Sequence, residues 1–266
     1  CGANIHCKNI YGYTPLHQAC ENGFFDIACK LIESGANIHS KTKFGDNPIL
    51  CVCSDGNIEL FNKLIELGAD IHARCYAGFS PLHKCSVKGS SQVFAKLMDL
   101  GFDVNCKDKY GDTPLHVAAT AYRPENIFTL VSFGADINIR NHKGKTPLMA
   151  SIGAGHIWTP ATYLIGLGAD VHCKDIYGST ALHYACKYNF FASSIAELVQ
   201  AGADIECKNI WGRTPLHEAC RHGNIQVLEK LIEFNADIDC KDDYGWSPLH
   251  FACKLGNIDV VDKLIE

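Results

Sequence analysis

Apolar residues recur along this chain in short stretches with helical spacing, separated by polar segments that contain glycine. In residues 9–41, Thr14 is suited to cap a helix and Pro15 to occupy its first position, where a missing N–H costs nothing. A second apolar stretch follows and ends before Gly35, a typical helix-terminating glycine. The pattern predicts two short helices after a glycine turn, and neither is long enough to be stable alone.

This unit repeats along the whole chain with a period of 33 or 34 residues. The glycine that precedes each first helix falls at Gly12, Gly45, Gly78, Gly111, Gly144, Gly178, Gly212 and Gly245. The glycine after each second helix recurs in the same register until Asn235 takes its place. Because stacked copies bury each other's apolar faces, we predict a single array with no second domain. Its repeats span residues 9–41, 42–74, 75–107, 108–140, 141–174, 175–208, 209–241 and 242–266, and residues 1–8 are the tail of a preceding repeat.

A tetrapeptide marks the start of six of the eight first helices. TPLH stands at residues 14–17, 113–116 and 214–217, with near-copies at 80–83, 180–183 and 247–250. With the period and the turn–helix–helix unit, this motif resembles the ankyrin repeat family. The resemblance implies an all-α solenoid of stacked helix-turn-helix units with β-hairpin fingers. It also implies a scaffold that binds proteins and has no chemistry of its own.

The resemblance implies that the motif's threonine and histidine form hydrogen bonds locally and to the neighbouring repeat. Catalysis would require a nucleophile or carboxylate beside each histidine, and the repeat supplies none in register. Equivalent histidines on stacked helices stand about 8–10 Å apart, whereas metal ligands lie about 2 Å from the ion. We therefore expect no catalytic residue, no metal site and no cofactor.

Composition narrows the range of partners. The net charge of −5 argues against a general surface for nucleic acid or anionic membrane. No run of about 18 apolar residues predicts a membrane-spanning helix, and no N-terminal segment resembles a secretion signal. The chain begins with cysteine rather than methionine, so we expect a monomeric array within a longer protein. An alternative is an interaction segment of a larger channel, enzyme or host-directed effector.

Most of the fifteen cysteines fall into two columns of the repeat. Equivalent positions on adjacent repeats are too far apart for a disulfide, which needs Cα atoms within about 7 Å. We expect free thiols and a reducing, intracellular location in the cytoplasm, with the nucleus as an alternative. Cys29, Cys51 and Cys75 are expected at more exposed positions.

Three repeats depart from the pattern. Repeat two reads NPIL and repeat five ends its tetrapeptide in Met149, so both should form fewer side-chain hydrogen bonds. Repeats five and six each carry one extra residue, in 151–168 and 187–202. We expect the second helix of repeat five to restart at Thr159–Pro160. The extra residues either change the local curvature or only lengthen a loop.

The family resemblance implies a concave binding face built from finger tips and first helices. At these positions, aromatic and basic residues gather in the last three repeats. Aromatic and arginine side chains are typical of interface hot spots, and the cations favour an acidic or phosphorylated protein or peptide partner. The alternative is that each aromatic ring packs on the next finger. The candidate partner-binding residues are Tyr177, Tyr184, Lys187, Trp211, Arg213, Arg221, Tyr244, Trp246, Phe251 and Lys254.

Two asparagines resemble a modification context of the same family. Asn105 and Asn138 each follow a leucine by eight residues and an aspartate by two. The resemblance implies hydroxylation by an oxygen-dependent intracellular hydroxylase. The alternative is that each asparagine serves only its turn.

Overall fold

Each predicted repeat contains two helices in the computed structural model, which describes residues 2–154, 159–188 and 192–266. Within those residues the first helices are α1 Pro15–Glu21, α3 Pro48–Asp55, α5 Pro81–Lys88, α7 Pro114–Thr120, α9 Pro147–Gly153, α11 Ala181–Lys187, α13 Pro215–His222 and α15 Pro248–Leu255. The second helices are α2 Phe25–Glu33, α4 Ile58–Glu66, α6 Ser91–Asp99, α8 Pro124–Ser132, α10 Thr159–Gly166, α12 Ala192–Gln200, α14 Ile225–Glu233 and α16 Ile258–Ile265. The all-α class and the helix-turn-helix repeat are confirmed.

The helices form two compact units, Cys1–Asp136 and Ile137–Glu266, here called the N-terminal and C-terminal units. In the N-terminal unit, α1, α3, α5 and α7 pack side by side, and α2, α4, α6 and α8 form a second row against them. In the C-terminal unit, α9, α11, α13 and α15 pack in the same way, each against the second helix of its own repeat. That all eight repeats form one continuous array stays a prediction.

Equivalent leucine and isoleucine side chains fill the core of each unit. One column lies just before the motif's histidine, and its members in repeats one to seven are almost fully buried: Leu16, Ile49, Leu82, Leu115, Leu148, Leu182 and Leu216. A second column, on the second helices of repeats two to seven, is fully buried: Leu64, Leu97, Leu130, Leu164, Leu198 and Leu231. Each such side chain contributes about 2 kcal/mol relative to exposure, so stacking stabilises helices that are too short to form alone.

The fingers are hydrogen-bonded turns. In the first finger the Asn9 N–H donates to the Tyr13 carbonyl at 3.0 Å, and the Gly12 N–H donates to the Asn9 carbonyl at 2.9 Å. The Lys43 N–H donates to the Tyr11 carbonyl at 2.9 Å and so joins the second finger to the first. Across the described ranges the fingers contain turns and bends but no strand, so their hairpin character is limited to these bonds.

The motif's histidine caps its own helix and binds the next repeat, as the resemblance implied. The N–H of Thr14 donates to His17 Nδ1 at 3.2 Å, and the Thr14 hydroxyl lies 2.8 Å from the same nitrogen. On its other side, His17 Nε2 lies 3.0 Å from the Ser40 carbonyl and 3.1 Å from the Asp46 carbonyl. Because Nδ1 accepts a backbone N–H, the proton of the neutral ring must be on Nε2, which donates across the repeat boundary.

All six motif histidines share the capping bond, with an N–H to Nδ1 distance of 3.1 to 3.2 Å. Burial lowers the pKa of four of them, His17, His83, His183 and His217, even though each hydrogen bond to a carbonyl favours the charged ring. The recurrence of histidine is therefore explained by capping and by contact between repeats.

The departures from the pattern keep part of this arrangement. In repeat two the Asn47 side chain accepts the Leu50 N–H at 3.2 Å, and in repeat five Thr146 accepts the Met149 N–H at 3.3 Å. Their buried apolar Leu50 and Met149 side chains cannot donate to the next finger, so that bond is absent at these two positions. Within the described residues α10 spans Thr159–Gly166, and its restart at Thr159–Pro160 stays a prediction. The loops expected to hold the extra residues include 155–158 and 189–191, which lie outside the described residues.

The cysteines require one correction. Cys51 and Cys75 are buried, so the expectation that they are exposed is wrong, and Cys29 is half-buried. Cys75 packs against Leu50, Ala73 and Phe79. All described cysteines are free thiols, and burial raises the pKa of Cys20 and of Cys220 to about 12. These buried thiols are therefore poor nucleophiles.

Candidate functional site

A groove of about 510 Å³ lies in the C-terminal unit between fingers and first helices. Five of the predicted partner-binding residues line it: Tyr177, Tyr184, Lys187, Trp211 and Arg221. Lys143, Lys145 and Tyr188 line it as well, although the sequence reasoning did not select them. We call this the aromatic groove.

A smaller groove of about 210 Å³ in the same unit contains the other five predicted residues, together with Asp242. These five are Arg213, Tyr244, Trp246, Phe251 and Lys254. The Arg213 guanidinium carbon lies 5.7 Å from the Trp211 ring centroid and 4.8 Å from that of Phe251, and so links the two grooves. We call this one the terminal groove.

Two ring pairs form the walls of the aromatic groove. Tyr177 and Trp211 stack with centroids 5.7 Å apart and planes 17° apart, while Tyr177 keeps 45% of its surface exposed. Tyr184 stacks on Tyr188 at 6.2 Å, is buried, and donates its hydroxyl to Asp175 at 2.8 Å. The two finger rings thus pack on each other and still present surface to solvent, whereas Tyr184 is chiefly a wall.

The cations of the aromatic groove lie at its rings and rim. Lys145 Nζ lies 4.4 Å from the Tyr184 centroid, and Lys187 Nζ lies 5.1 Å from that of Tyr188. Cations at these distances are held by the negative faces of the rings. They add positive charge to an apolar surface.

The two carboxylates of the aromatic groove are already engaged. Asp175 accepts the N–H groups of Tyr177 and Ser179, both at 2.8 Å, in addition to the Tyr184 hydroxyl. Glu218 lies 3.6 Å from His222 Nε2 and 3.9 Å from Arg221. Burial favours the neutral acid, but the hydrogen bond from His222 and the charge of Arg221 hold the pKa of Glu218 below its usual range.

The terminal groove pairs its arginine within the chain. Arg213 Nε donates to Asp242 at 3.3 Å. Burial on its own would raise the pKa of Asp242, but the hydrogen bonds from the Trp246 and Tyr244 N–H groups and from Arg213 lower this pKa below its usual value. Trp246 lies 5.2 Å from the largely buried Phe251, while Tyr244 is 70% exposed. Lys254 Nζ sits 4.6 Å from the Trp246 centroid. Arg213 therefore contributes less attraction for an acidic partner than the sequence suggested.

Two of the residues that sequence reasoning missed had a detectable signal. Lys143 and Lys145 flank Gly144, at the same finger positions that Tyr177 and Ser179 occupy in the next repeat. Extending the finger columns by one repeat would have included them. The pairing of Glu218 with its own helix neighbours depends on side-chain conformation, which the column register does not contain.

Asn105 and Asn138 connect neighbouring repeats. Asn105 Oδ1 accepts the Asp136 N–H at 2.9 Å, and Asn138 Oδ1 accepts the Asp170 N–H at 2.8 Å. Glu206 does the same for Asp237 at 2.8 Å. The two asparagines therefore have a structural role in their repeats.

The described ranges hold no group of three or more His, Cys, Asp or Glu side chains placed to bind a metal ion. In those ranges, no helix combines the length and the apolar character that crossing a bilayer requires.

A family model described as ankyrin repeats (3 copies) matches residues 16–108, 49–141, 115–209 and 190–266. These segments overlap and together extend from residue 16 to residue 266. No curated protein matches the chain.

Proposed function

Since the chain belongs to the ankyrin repeat family, whose arrays generally bind other proteins, we propose that it holds an acidic or phosphorylated segment of a partner protein in the aromatic and terminal grooves. Such a segment would lie on the face of fingers and first helices, which the family uses as its concave binding face. The same role fits an interaction segment of a larger channel, enzyme or effector.

One juxtaposition carries this proposal. The partly exposed Tyr177–Trp211 stack and the lysines Lys145 and Lys187 line one groove, whose carboxylates are already bonded within the chain. The rings provide contact area at a low cost in conformational entropy, and the cations attract negative charge. A segment with acidic or phosphorylated residues beside an apolar one matches both features.

The titratable groups of the aromatic groove favour binding over catalysis. His183 caps its helix through Nδ1 and lies 3.0 Å from the Arg213 carbonyl through Nε2. Asp175 and Glu218 are occupied by the bonds described above. A general base or nucleophile needs a lone pair or proton directed at a substrate, and these groups use theirs to hold the fold. The array is therefore proposed to be non-catalytic, as is typical of its family.

We also propose a reducing, intracellular location, in the cytoplasm or nucleus. The described cysteines are free thiols, and exposed thiols such as those of Cys7 and Cys253 persist where disulfides are kept reduced.

Truncating either groove tryptophan should weaken binding of the partner by about 2 kcal/mol, roughly thirtyfold, if these rings are hot spots. Affinity capture by the 266-residue chain identifies the partner, and calorimetry with its bound segment compares Trp211→Ala and Trp246→Ala with wild type. Phe24→Ala removes a ring that is 54% exposed in the N-terminal unit and is the matched control. If the tryptophan variants bind normally but unfold earlier, the rings only pack on their neighbours and the site is wrong.

We propose further that Asn105 and Asn138 are substrates of an oxygen-dependent asparaginyl hydroxylase. Peptide mass spectrometry after treatment with such an enzyme should show one added oxygen on each residue. The peptide containing Glu206, which occupies the same position, is the internal control. Unmodified Asn105 and Asn138 would leave them only the structural role described above.

A further inference from the structure

A third groove, of about 420 Å³, lies in the N-terminal unit between its first two fingers. Six residues line it: Asn9, Tyr11, Tyr13, Gln18, Glu21 and Phe44. We call it the Glu21 groove. The binding role proposed for the C-terminal unit does not involve it.

Two exposed rings form one side of the Glu21 groove. Tyr11 and Phe44 are 54% and 53% exposed, and their planes lie within 23° of parallel with centroids 6.4 Å apart. Each ring therefore offers a face to a ligand without a change in packing. The faces of aromatic rings attract cations.

The charge of the Glu21 groove is negative. Glu21 stands at the end of α1, and one carboxylate oxygen accepts from Gln18 Nε2 at 3.2 Å. Burial and then the charge of Glu21 raise the pKa of the neighbouring Tyr13 to about 12. The nearby Asp46 carboxylate is paired with Lys84 at 2.7 Å, so Glu21 is the acid left to meet a ligand in this groove.

The same repeat position has the opposite charge in the C-terminal unit. Four residues after the motif's histidine, repeat one has Glu21, whereas the last three repeats have Lys187, Arg221 and Lys254. Because the frame places these positions equivalently, the grooves of the two units should select ligands of opposite sign.

We propose that the Glu21 groove binds an arginine side chain of a partner protein. The guanidinium plane stacks on an exposed ring face of the Tyr11–Phe44 pair and donates N–H groups to the Glu21 carboxylate. A planar guanidinium fits this arrangement better than an ammonium, because it stacks on rings and can present two parallel N–H groups to one carboxylate. This recognition is independent of the acidic segment proposed for the aromatic groove.

The test is a backbone-amide NMR titration of the 266-residue chain with acetyl-Gly-Arg-Gly-amide at millimolar concentration. The citrulline peptide, equal in shape but uncharged, and the lysine peptide are the matched ligands. We expect saturable chemical-shift changes at Tyr11, Tyr13 and Glu21 with the arginine peptide. The citrulline peptide and the lysine peptide should each bind at least about fivefold more weakly. Shifts confined to the C-terminal unit, or equal binding of the lysine or citrulline peptide, would overturn the proposal.

Two charge-removing variants distinguish a direct contact with the Glu21 carboxylate from a general effect of negative charge on peptide binding. Glu21→Gln should raise the Kd of the arginine peptide about tenfold, because it removes the charge from the hydrogen bond. Glu33→Gln, which removes an exposed acid from the second helix of the same repeat, should leave the Kd unchanged. Tyr11→Ala supplies a second test through an exposed ring and should also weaken binding. An unchanged Kd in both Glu21→Gln and Tyr11→Ala refutes the site even if the shifts are local.

Discussion

Replacing Gly56 with alanine should lower the free energy of unfolding by about 3 kcal/mol or more. Gly56 ends α3 with a φ of +93°, a conformation that side chains rarely adopt. A Cβ there would overlap the backbone nitrogen of Ser90 and lie 3.1 Å from the carbonyl carbon of Gly89. The neighbouring turn cannot easily yield, because the Ser90 hydroxyl donates to the Gly56 carbonyl at 2.7 Å and also caps α6.

Gly68→Ala is the matched control for this prediction. Gly68 has a φ of +81°, but no atom lies within 4 Å of the position that its Cβ would take. Only the backbone strain remains, about 1–2 kcal/mol. Urea unfolding followed by far-ultraviolet circular dichroism compares the two. Equal losses would show that the close approach of repeats two and three at Gly56 adds nothing.

The sequence was sufficient to predict the positions of the helices and fingers, because the same elements recur in each repeat. Thr14 and Pro15 marked a helix start that recurs seven more times, and the glycine register located each finger. Asn235 was placed in the glycine column by register alone, and its φ of +63° agrees with that position. Information summed over eight copies identifies local geometry that one copy would leave ambiguous.

The sequence was also sufficient to bring the candidate residues together, but not to find their partners. Equivalent finger positions align in a stack, so Tyr177 and Trp211 had to be neighbours. That Arg213 pairs with Asp242 depends on rotamers across a repeat boundary. The burial of Cys75 was missed because most repeats have a polar residue at its position. Residues such as Asp108 accept finger N–H groups there and are buried as well. A thiol accepts hydrogen bonds only weakly, and Cys75 instead packs on Leu50 and Phe79.

Lowering the pH below about 6.5 should destabilise the fold well before carboxylates are protonated. Burial lowers the pKa of His17, His83, His183 and His217 in the folded chain. In each ring Nδ1 accepts the N–H of the capping residue, so a proton there would replace a hydrogen bond with two opposed donors. The charged ring is therefore disfavoured by geometry as well as by burial.

The sign of the effect follows from proton counting. Below about pH 6.5 the unfolded chain binds protons on these histidines and the folded chain does not, so stability falls as the pH falls. The loss ends where the pH passes below the lowered pKa values of the folded state, and the contribution is complete above pH 6.5. Each histidine adds a slope of up to about 1.4 kcal/mol per pH unit, and the four together up to about 5.5 kcal/mol per pH unit.

The histidine origin of this slope can be tested with a residue that the chain itself uses at the same position. His217→Met reproduces the arrangement of Thr146 and Met149 in repeat five. At pH 7.5 the variant should be less stable by about 2 kcal/mol, because the Trp246 carbonyl loses the donor that lies 3.0 Å away. Between pH 6.5 and 5 the free energy of unfolding of the variant should fall less steeply with pH than that of the wild type. The expected difference in slope is up to about 1.4 kcal/mol per pH unit, which corresponds to one fewer proton taken up on unfolding. Urea unfolding across this range, followed by tryptophan fluorescence and circular dichroism, measures both quantities. If wild type and variant have the same slope, His217 binds a proton equally in the folded and unfolded chain, and its tautomer does not control acid stability.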